Sequence, residues 1–494
     1  MQLTDHYLDL EKRYLDLEKT CTTLLAEYQE LKKEYQELRK ENQSLKKEHQ
    51  ELRKENQSLK KENEKLKEKL RTNSKNSSTP PSQDPHREPP KPKRNPTGRK
   101  PGGQPGHKGR TRELYSEEQV SKTLDIKPNI CPNCTGTNFD QTPVSVEVKQ
   151  VVELPECPVD ITQYQIHTCK CSACGTCVKA DTPKEAEKAF GPRLMGFLTM
   201  LVSEGHLSKR KICNIAQHMG VKISLGSLCN IHKLATDLLR KPAEDIHEHV
   251  LNSKRVNADE TSWRVSNKRH WLWVGATENA AFFKINPSRS AKAYQEIFGN
   301  FTGTLTTDRY AAYNAHSGNK QTCLSHIDRD FIKMSQCTGI DGRIGHLLEE
   351  QLDQVFAFWN KFKEGKISRC DLQNKAVDPQ ENIKAILMFA AERAAKRKNR
   401  SFAYNLLDRF PTLWTFLYEE GVEPTNNHGE RTIRGSVILR KLSYGNQSDW
   451  GARFIERVMT VSYTLKQTSR NLLTFLSELF TSRVEARPPP PVFL

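Results

Sequence analysis

Leucine recurs at every seventh position in the first part of the chain: Leu10, Leu17, Leu24, Leu31, Leu38, Leu45, Leu52, Leu59 and Leu66. This spacing predicts one long helix with a leucine at each d position of a heptad repeat. The a positions hold Tyr7, Tyr14, Cys21, Tyr28, Tyr35, Asn42, His49, Asn56 and Asn63. Asparagine at a favours a parallel two-stranded coiled coil. Charges agree: Glu27, Glu34, Glu41, Glu48, Glu55 and Glu62 occupy g, and Lys32, Arg39, Lys46, Arg53, Lys60 and Lys67 the following e. In a parallel, in-register homodimer those pairs meet with opposite sign. The alternative is a solvated single helix, because so many polar a residues weaken the seam.

The pattern then breaks. Residues 71–112 carry nine prolines and 11 Lys/Arg against two acids, a composition that cannot bury a core. This stretch is either a solvated tether or a basic arm that orders along phosphates. Residues 113–182 alternate as strands (VSVEVKQVVEL, ITQYQIHTC) between two C-x-x-C knuckles, Cys131/Cys134 and Cys171/Cys174. Four thiolates so spaced suit tetrahedral Zn²⁺, and so small a module needs a staple. Cys169 and Cys177 are alternative ligands beside the second knuckle, His167 is close by, and Cys157 is a candidate plain buried thiol. Residues 183–250 have helical periodicity, with Gly220 as a break and Ser224 or Ser227 as the next cap. That spacing fits a helix-turn-helix DNA reader with Lys209, Arg210 and Lys211 on phosphates, and it equally fits a plain helical hairpin.

From residue 254 the period switches to two. KRVNADETSWRV, RHWLWVGATE and AAFFKINP predict three antiparallel strands, RSAKAYQEIFGNF a crossover helix, and GTLTTDRYAAYN a returning strand. This order predicts an α/β unit with a mixed sheet whose first and fourth strands can lie side by side.

Length and composition narrow the class. A chain of 494 residues accommodates two to four modules. Lys+Arg 77 against Asp+Glu 60 gives a net charge of +17, which favours a polyanionic partner such as nucleic acid. No apolar run approaches the roughly 20 residues that span a bilayer, and MQLTDHYLDLEK lacks the order of a signal peptide, so a cytoplasmic protein and no membrane partner are expected. The 13 cysteines are odd in number and clustered in close pairs, which suits metal ligation in a reducing compartment better than disulfides.

The candidate chemistry lies in carboxylates. Strand alternation puts Asp259 and Glu260 on opposite faces, so one of them can share a face with Asp308 at the end of the fourth strand. Two carboxylates converging from neighbouring strands make a Mg²⁺ site of the kind used in phosphoryl transfer. Glu430 is the candidate third ligand, at the start of a helix that also carries Arg431, Arg434, Arg440 and Lys441 as contacts for a phosphodiester backbone. Asn427 and Glu430 also match a capping box, in which the glutamate only satisfies a backbone N–H.

The RKPGGQPGHKGR stretch, the paired knuckles, NADET, TTDRYAAYN and TNNHGERTIRGSVILRK, in this order behind a leucine zipper, resemble the IS66 family of bacterial insertion-sequence transposases. The resemblance covers about residues 75–480. It implies an RNase H-like catalytic core with an Asp, Asp, Glu triad at Asp259, Asp308 and Glu430, and a helical insertion before the glutamate. It also implies Mg²⁺ (or Mn²⁺) as cofactor, double-stranded DNA (transposon ends and target) as substrate, and association with the nucleoid when bound to DNA. Accessory proteins encoded by the same element are a further class of partner. The expected organisation of this multidomain α/β protein is a coiled coil (1–70), basic linker (71–112), zinc-binding module (113–182), helical DNA-binding module (183–250), catalytic core (251–334 and 426–482), helical insertion (335–425) and Pro-rich tail (483–494). The chain departs from the family pattern at Gly429, where alanine is usual, and at Leu324 and Ser325 in CLSHIDRDF, where a tryptophan and a small residue are usual. His326 in that stretch is a candidate contact for a phosphate or a metal-bound water, or a structural histidine. The alternative function is a dimeric zinc-containing DNA-binding regulator without catalysis.

Overall fold

The computed structural model describes residues 2–71, 114–126, 146–152, 159–170, 177–299 and 301–493, with isolated positions between 129 and 172. Two compact units divide the chain at residue 89. The first contains one continuous helix, α1 (Gln2–Arg71). Its heptad leucines stand open, from Leu10 at 60% to Leu66 at 49% exposed. The basic linker lies outside the described residues.

In the second unit, β1 (Thr168–Lys170) and β2 (Cys177–Lys179) form an antiparallel hairpin that carries Cys169 and Cys177, both exposed free thiols. Cys131, Cys134, Cys171 and Cys174 lie outside the described residues, as does Cys157. Four helices follow: α2 (Pro192–Ser203), α3 (Lys209–His218), α4 (Leu225–Leu238) and α5 (Arg240–Leu251). Ser224 caps α4 by accepting the Ser227 N–H at 3.0 Å, after a turn in which Gly220 takes φ +86°. Proline at the first position of α2 replaces an amide that would have no helical acceptor.

A five-stranded sheet comes next, ordered β5-β4-β3-β6-β7. Its strands are β3 (Arg255–Val265), β4 (Lys268–Ala276), β5 (Ala281–Asn286), β6 (Thr304–Thr307) and β7 (Lys320–Thr322), with α6 (Ala291–Phe298) as the crossover between β5 and β6. The first three strands run antiparallel, while β6 is parallel to both β3 and β7. The first and fourth strands therefore do lie side by side. β7, three residues long, carries no alternation that sequence reading could detect.

The rest is helical: α7 (Leu324–Ser335), α8 (Gly339–Lys363), α9 (Arg369–Arg393), α10 (Arg397–Asp408), α11 (Thr415–Tyr418), α12 (Asn427–Ser443), α13 (Asp449–Gln467) and α14 (Leu472–Val484). Two hydrophobic cores result. One, from Leu324 to Val422, is built from α7–α11. It begins within the stretch expected to belong to the first part of the catalytic core, because α7 buries Leu324, Ile327, Phe331 and Met334 against the insertion. The other joins the sheet, α2–α6 and α12–α14. The helices at 183–250 thus do not fold around a core of their own. α2 lies so close to α14 that a Cβ on Gly196 would stand 3.0 Å from the Ser477 nitrogen.

Both sheet edges are covered. Along β5, the N–H groups of Ala281, Phe283 and Ile285 donate to Thr464 Oγ1, Thr460 Oγ1 and Glu456 Oε1. Those acceptors are spaced four apart on α13, so one helix face does what a neighbouring strand would do and blunts the edge. At β7, Gln321 Oε1 accepts the Phe416 N–H at 2.9 Å.

Candidate active site

Parallel pairing of β3 with β6 matches Arg255–Asn257 with Thr304–Thr306 and then stops. Asp259 lies two residues beyond Asn257, and Asp308 two beyond Thr306. With a side-chain period of two, both point to the face on which Asn257 lies. The ladder ends there, leaving a notch with a carboxylate just past it on each strand. Each aspartate bonds its own backbone: Asp259 Oδ1 accepts the Glu260 N–H and Asp308 Oδ1 the Tyr310 N–H, both at 2.8 Å.

The third wall is the start of α12. Asn426 ties it to β3: its Nδ2 donates to the Ala258 carbonyl at 2.7 Å, and its Oδ1 accepts from Asn257 Nδ2 at 2.9 Å. One turn on, the Glu430 N–H donates to the Asn426 carbonyl at 3.0 Å. The helix is capped at Asn426, not Asn427, without a side-chain capping bond. Glu430 therefore sits beyond the capping-box position, and its Oε1 is buried without a hydrogen-bond partner. Gly429 leaves room for the Asn426 side chain, since a Cβ there would stand 2.8 Å from Asn426 Oδ1.

The three carboxyls repel one another. Asp259 is held well above the usual range, first by burial, then by the Glu260 charge, with Asp308 and Glu430 adding to it. Asp308 is raised by burial, against the pull of Arg289 and Arg309. Glu430 is raised by burial and by Asp308, against the pull of Arg329. Among the described residues no ion pair reaches Asp259 or Asp308, and Arg289, Arg309 and Arg329 act on Asp308 and Glu430 only through space.

Glu260, on the opposite face of β3, is satisfied. Arg289 Nε donates to its Oε1 at 2.8 Å, Arg289 Nη2 pairs with the same oxygen, and the Tyr313 hydroxyl donates to Oε2. Arg289 is itself held over Tyr310 at 3.5 Å and over Trp271 at 4.7 Å. Glu260 thus fixes a guanidinium whose field reaches Asp308.

The basic residues divide into two groups. Arg431, Arg434 and Lys441 are exposed on one side of α12 together with Ile438. Arg440 is committed inward, donating to Thr261 Oγ1 at 2.8 Å and to the Ser262 carbonyl at 2.6 Å, and so clamps α12 to β3. At the start of α3, Arg210 and Lys211 are exposed, whereas Lys209 lies 4.5 Å from the Trp450 ring centre and 3.4 Å from Cys229 Sγ. Lys233 of α4 faces the same tryptophan at 5.5 Å.

Sequence reading missed Asn426 and Cys323. The Asn426 amide donates to the buried Cys323 thiol at 3.2 Å. Cys323, His326 and Glu430 place their ligating atoms within 4.8 Å of one another. The C-x-x-H spacing was the available signal, but its partner is more than 100 residues away.

The family model described as "Transposase IS66 family" matches residues 187–454, more than half of the chain, and the chain belongs to that family. Residues 25–113 match a family of unknown function (DUF6444). An "Uncharacterized protein y4qI" of Sinorhizobium fredii is 25% identical over 285 residues, which is 51% of this chain and 51% of that protein. The chain therefore spans about half the length of that curated relative. No helix among the described residues is long and apolar enough to cross a membrane.

Proposed function

We propose that the chain is a DNA transposase that binds transposon ends and carries out metal-dependent strand cleavage and strand transfer with Asp259, Asp308 and Glu430 on an RNase H-like core. One observation carries this reading. Carboxyls from β3, the end of β6 and α12 act on one another electrostatically: Asp259 feels both of the others, and Glu430 keeps a buried oxygen without a partner.

Divalent cations fit such a donor set: hard oxygen ligands match Mg²⁺ or Mn²⁺, and two such ions would offset the repulsion among the carboxyls. When bound they supply Lewis acidity to the attacking and leaving oxygens of a phosphodiester. The chain's own residues hold and orient. Asn426 and Arg440 lock α12 onto β3 so that Glu430 faces the aspartates, and Glu260 holds Arg289 at the rim. Arg431, Arg434 and Lys441, with Arg210 and Lys211 on α3, suit the duplex backbone.

The remaining modules complete the reading. The open leucine seam of α1 supports a parallel homodimer that holds two DNA ends together. The knuckle cysteines Cys131, Cys134, Cys171 and Cys174 make a Zn²⁺ module that reads DNA beside the basic linker.

The test uses the full chain and DNA carrying the inverted repeats that flank its gene. Asp259→Asn, Asp308→Asn and Glu430→Gln are each expected to bind the ends and to lose Mg²⁺-dependent cleavage. Cleavage that survives any of these changes overturns the triad.

A further inference from the structure

Cys323 is the single residue between β7 and α7, and His326 lies within the first turn of α7. Glu430 comes from α12. The three meet because the Leu324 N–H donates to the Pro424 carbonyl at 2.8 Å and the Asn426 N–H to Cys323 Sγ at 3.2 Å, which draws the start of α7 onto the start of α12.

Two buried polar atoms face each other there without a hydrogen bond: His326 Nδ1 and Glu430 Oε1, 3.7 Å apart. Buried polar atoms without partners are uncommon, and each needs a physical reason. A helix-capping role explains the N–H contacts of the Cys323 sulfur. It leaves the orphaned imidazole and carboxylate beside that sulfur unexplained.

We infer that Cys323, His326 and Glu430 form a three-ligand site for a borderline-soft divalent cation of the zinc class. Ligand distances of about 2.0–2.3 Å around a tetrahedral ion imply ligand–ligand separations of roughly 3.3–3.8 Å. The His326–Glu430 separation of 3.7 Å is about 0.3 Å wider than a nitrogen–oxygen pair on such an ion needs, and all three atoms lie within 4.8 Å of one another, so small rotamer adjustments close the set. One sulfur, one nitrogen and one oxygen select against Mg²⁺, which prefers an all-oxygen shell. Three protein ligands also leave a coordination position open to an exogenous group, as catalytic rather than structural zinc sites do. The backbone N–H of Asn426 on the sulfur is the outer-shell contact that steadies a metal-bound thiolate.

The consequence is an asymmetric centre. The Asp259–Asp308 side offers only oxygen, whereas the Glu430 side offers sulfur and nitrogen as well. This deepens the proposed function, and it rests on that reading for a role in cleavage but not for binding of the ion.

Cobalt(II) is the probe, because a cobalt–thiolate bond gives a charge-transfer absorption in the near ultraviolet. The full chain, stripped of metal by a chelator that is then removed, is titrated with Co²⁺, so that any thiolate absorption from the knuckle cysteines is common to wild type and variant and cancels in the difference. A wild-type minus Cys323→Ser difference spectrum is expected to show the thiolate band. His326→Ala is expected to weaken Co²⁺ binding on the order of 10-fold or more, and Asp259→Asn to leave the band in place while abolishing cleavage. No thiolate band in the difference spectrum overturns the site. If Cys323→Ser fails to fold by circular dichroism, unchanged Co²⁺ affinity in both His326→Ala and Glu430→Gln overturns it instead. A thiolate band in a chain that cleaves no DNA leaves the site standing and removes the transposase reading. Cleavage without the band does the reverse.

Discussion

Adjacent residues on β3 serve its two faces under opposite conditions. Glu260 enters a pocket where a guanidinium and a phenol meet both of its oxygens. Asp259 faces a notch where the nearest charged groups include two further carboxyls. Asp341 in the insertion resembles Glu260: it is buried, and it accepts from the Ala395 and Lys396 amides at 2.6 and 3.0 Å and from Asn399 Nδ2 at 2.9 Å. An acid with its partners built in is part of the fold. Asp259 and Asp308 each have a single backbone N–H and no cationic side chain bonded to them, and Glu430 Oε1 has no partner; that shortage distinguishes a site that suits a cation from an acid that holds structure together.

Breaking the notch should have the largest effect. Asp259→Asn is expected to lower end cleavage by on the order of 10³-fold or more, the loss typical of removing preorganised charge stabilisation, with end binding unchanged in a gel-shift assay. Breaking the satisfied face should instead cost stability. Glu260→Ala strands Arg289 and is expected to destabilise the second unit by about 3–5 kcal/mol in urea unfolding, a cost that removing Arg289 as well should reduce. Asn426→Ala leaves every carboxyl in place but loosens α12, so cleavage should fall by roughly 10²-fold while Mn²⁺ still binds.

A smaller effect has the opposite sign. Asp259→Asn should stabilise the metal-free chain by roughly 0.5–2 kcal/mol, because it removes one of the crowded charges. The pH dependence follows. The notch acids have raised folded-state values, so as pH falls the folded state takes up protons before the unfolded one and gains stability. The advantage of Asp259→Asn should therefore shrink on acidification. His232 acts in the other direction. Burial lowers it to about 3, so the unfolded chain takes up its proton first and stability is lost between pH 6.5 and about 3, by at most about 1.4 kcal/mol per pH unit. Thermal midpoints of wild type, Asp259→Asn and His232→Gln between pH 7.5 and 5 separate the two contributions.

Much of this contrast was legible in the sequence. Alternation along KRVNADETSWRV separates Asp259 from Glu260, and the order of strands and crossover brings Asp308 near one of the two; the family resemblance, not the alternation, selects Asp259. What escaped depends on contacts distant in sequence. Arg440 reads as one more cation on a basic helix, yet its guanidinium is spent on Thr261 and Ser262. Asn427 reads as the cap, but the helix is capped at Asn426, which β3 holds through the Ala258 carbonyl. α7 reads as the end of the first core segment, but its apolar face packs with the insertion. α2–α5 read as a separate module because their periodicity is complete, and nothing local reveals that the apolar faces of α13 and α14 complete their core.

The most direct measurement of the central claim is anomalous diffraction from crystals of the full chain grown with Mn²⁺. A peak between the Asp259 and Asp308 carboxylates, lost in Asp259→Asn crystals, is the predicted result. A notch without a peak while Mn²⁺ orders elsewhere, or Asp259 and Asp308 turned away from each other, contradicts the account.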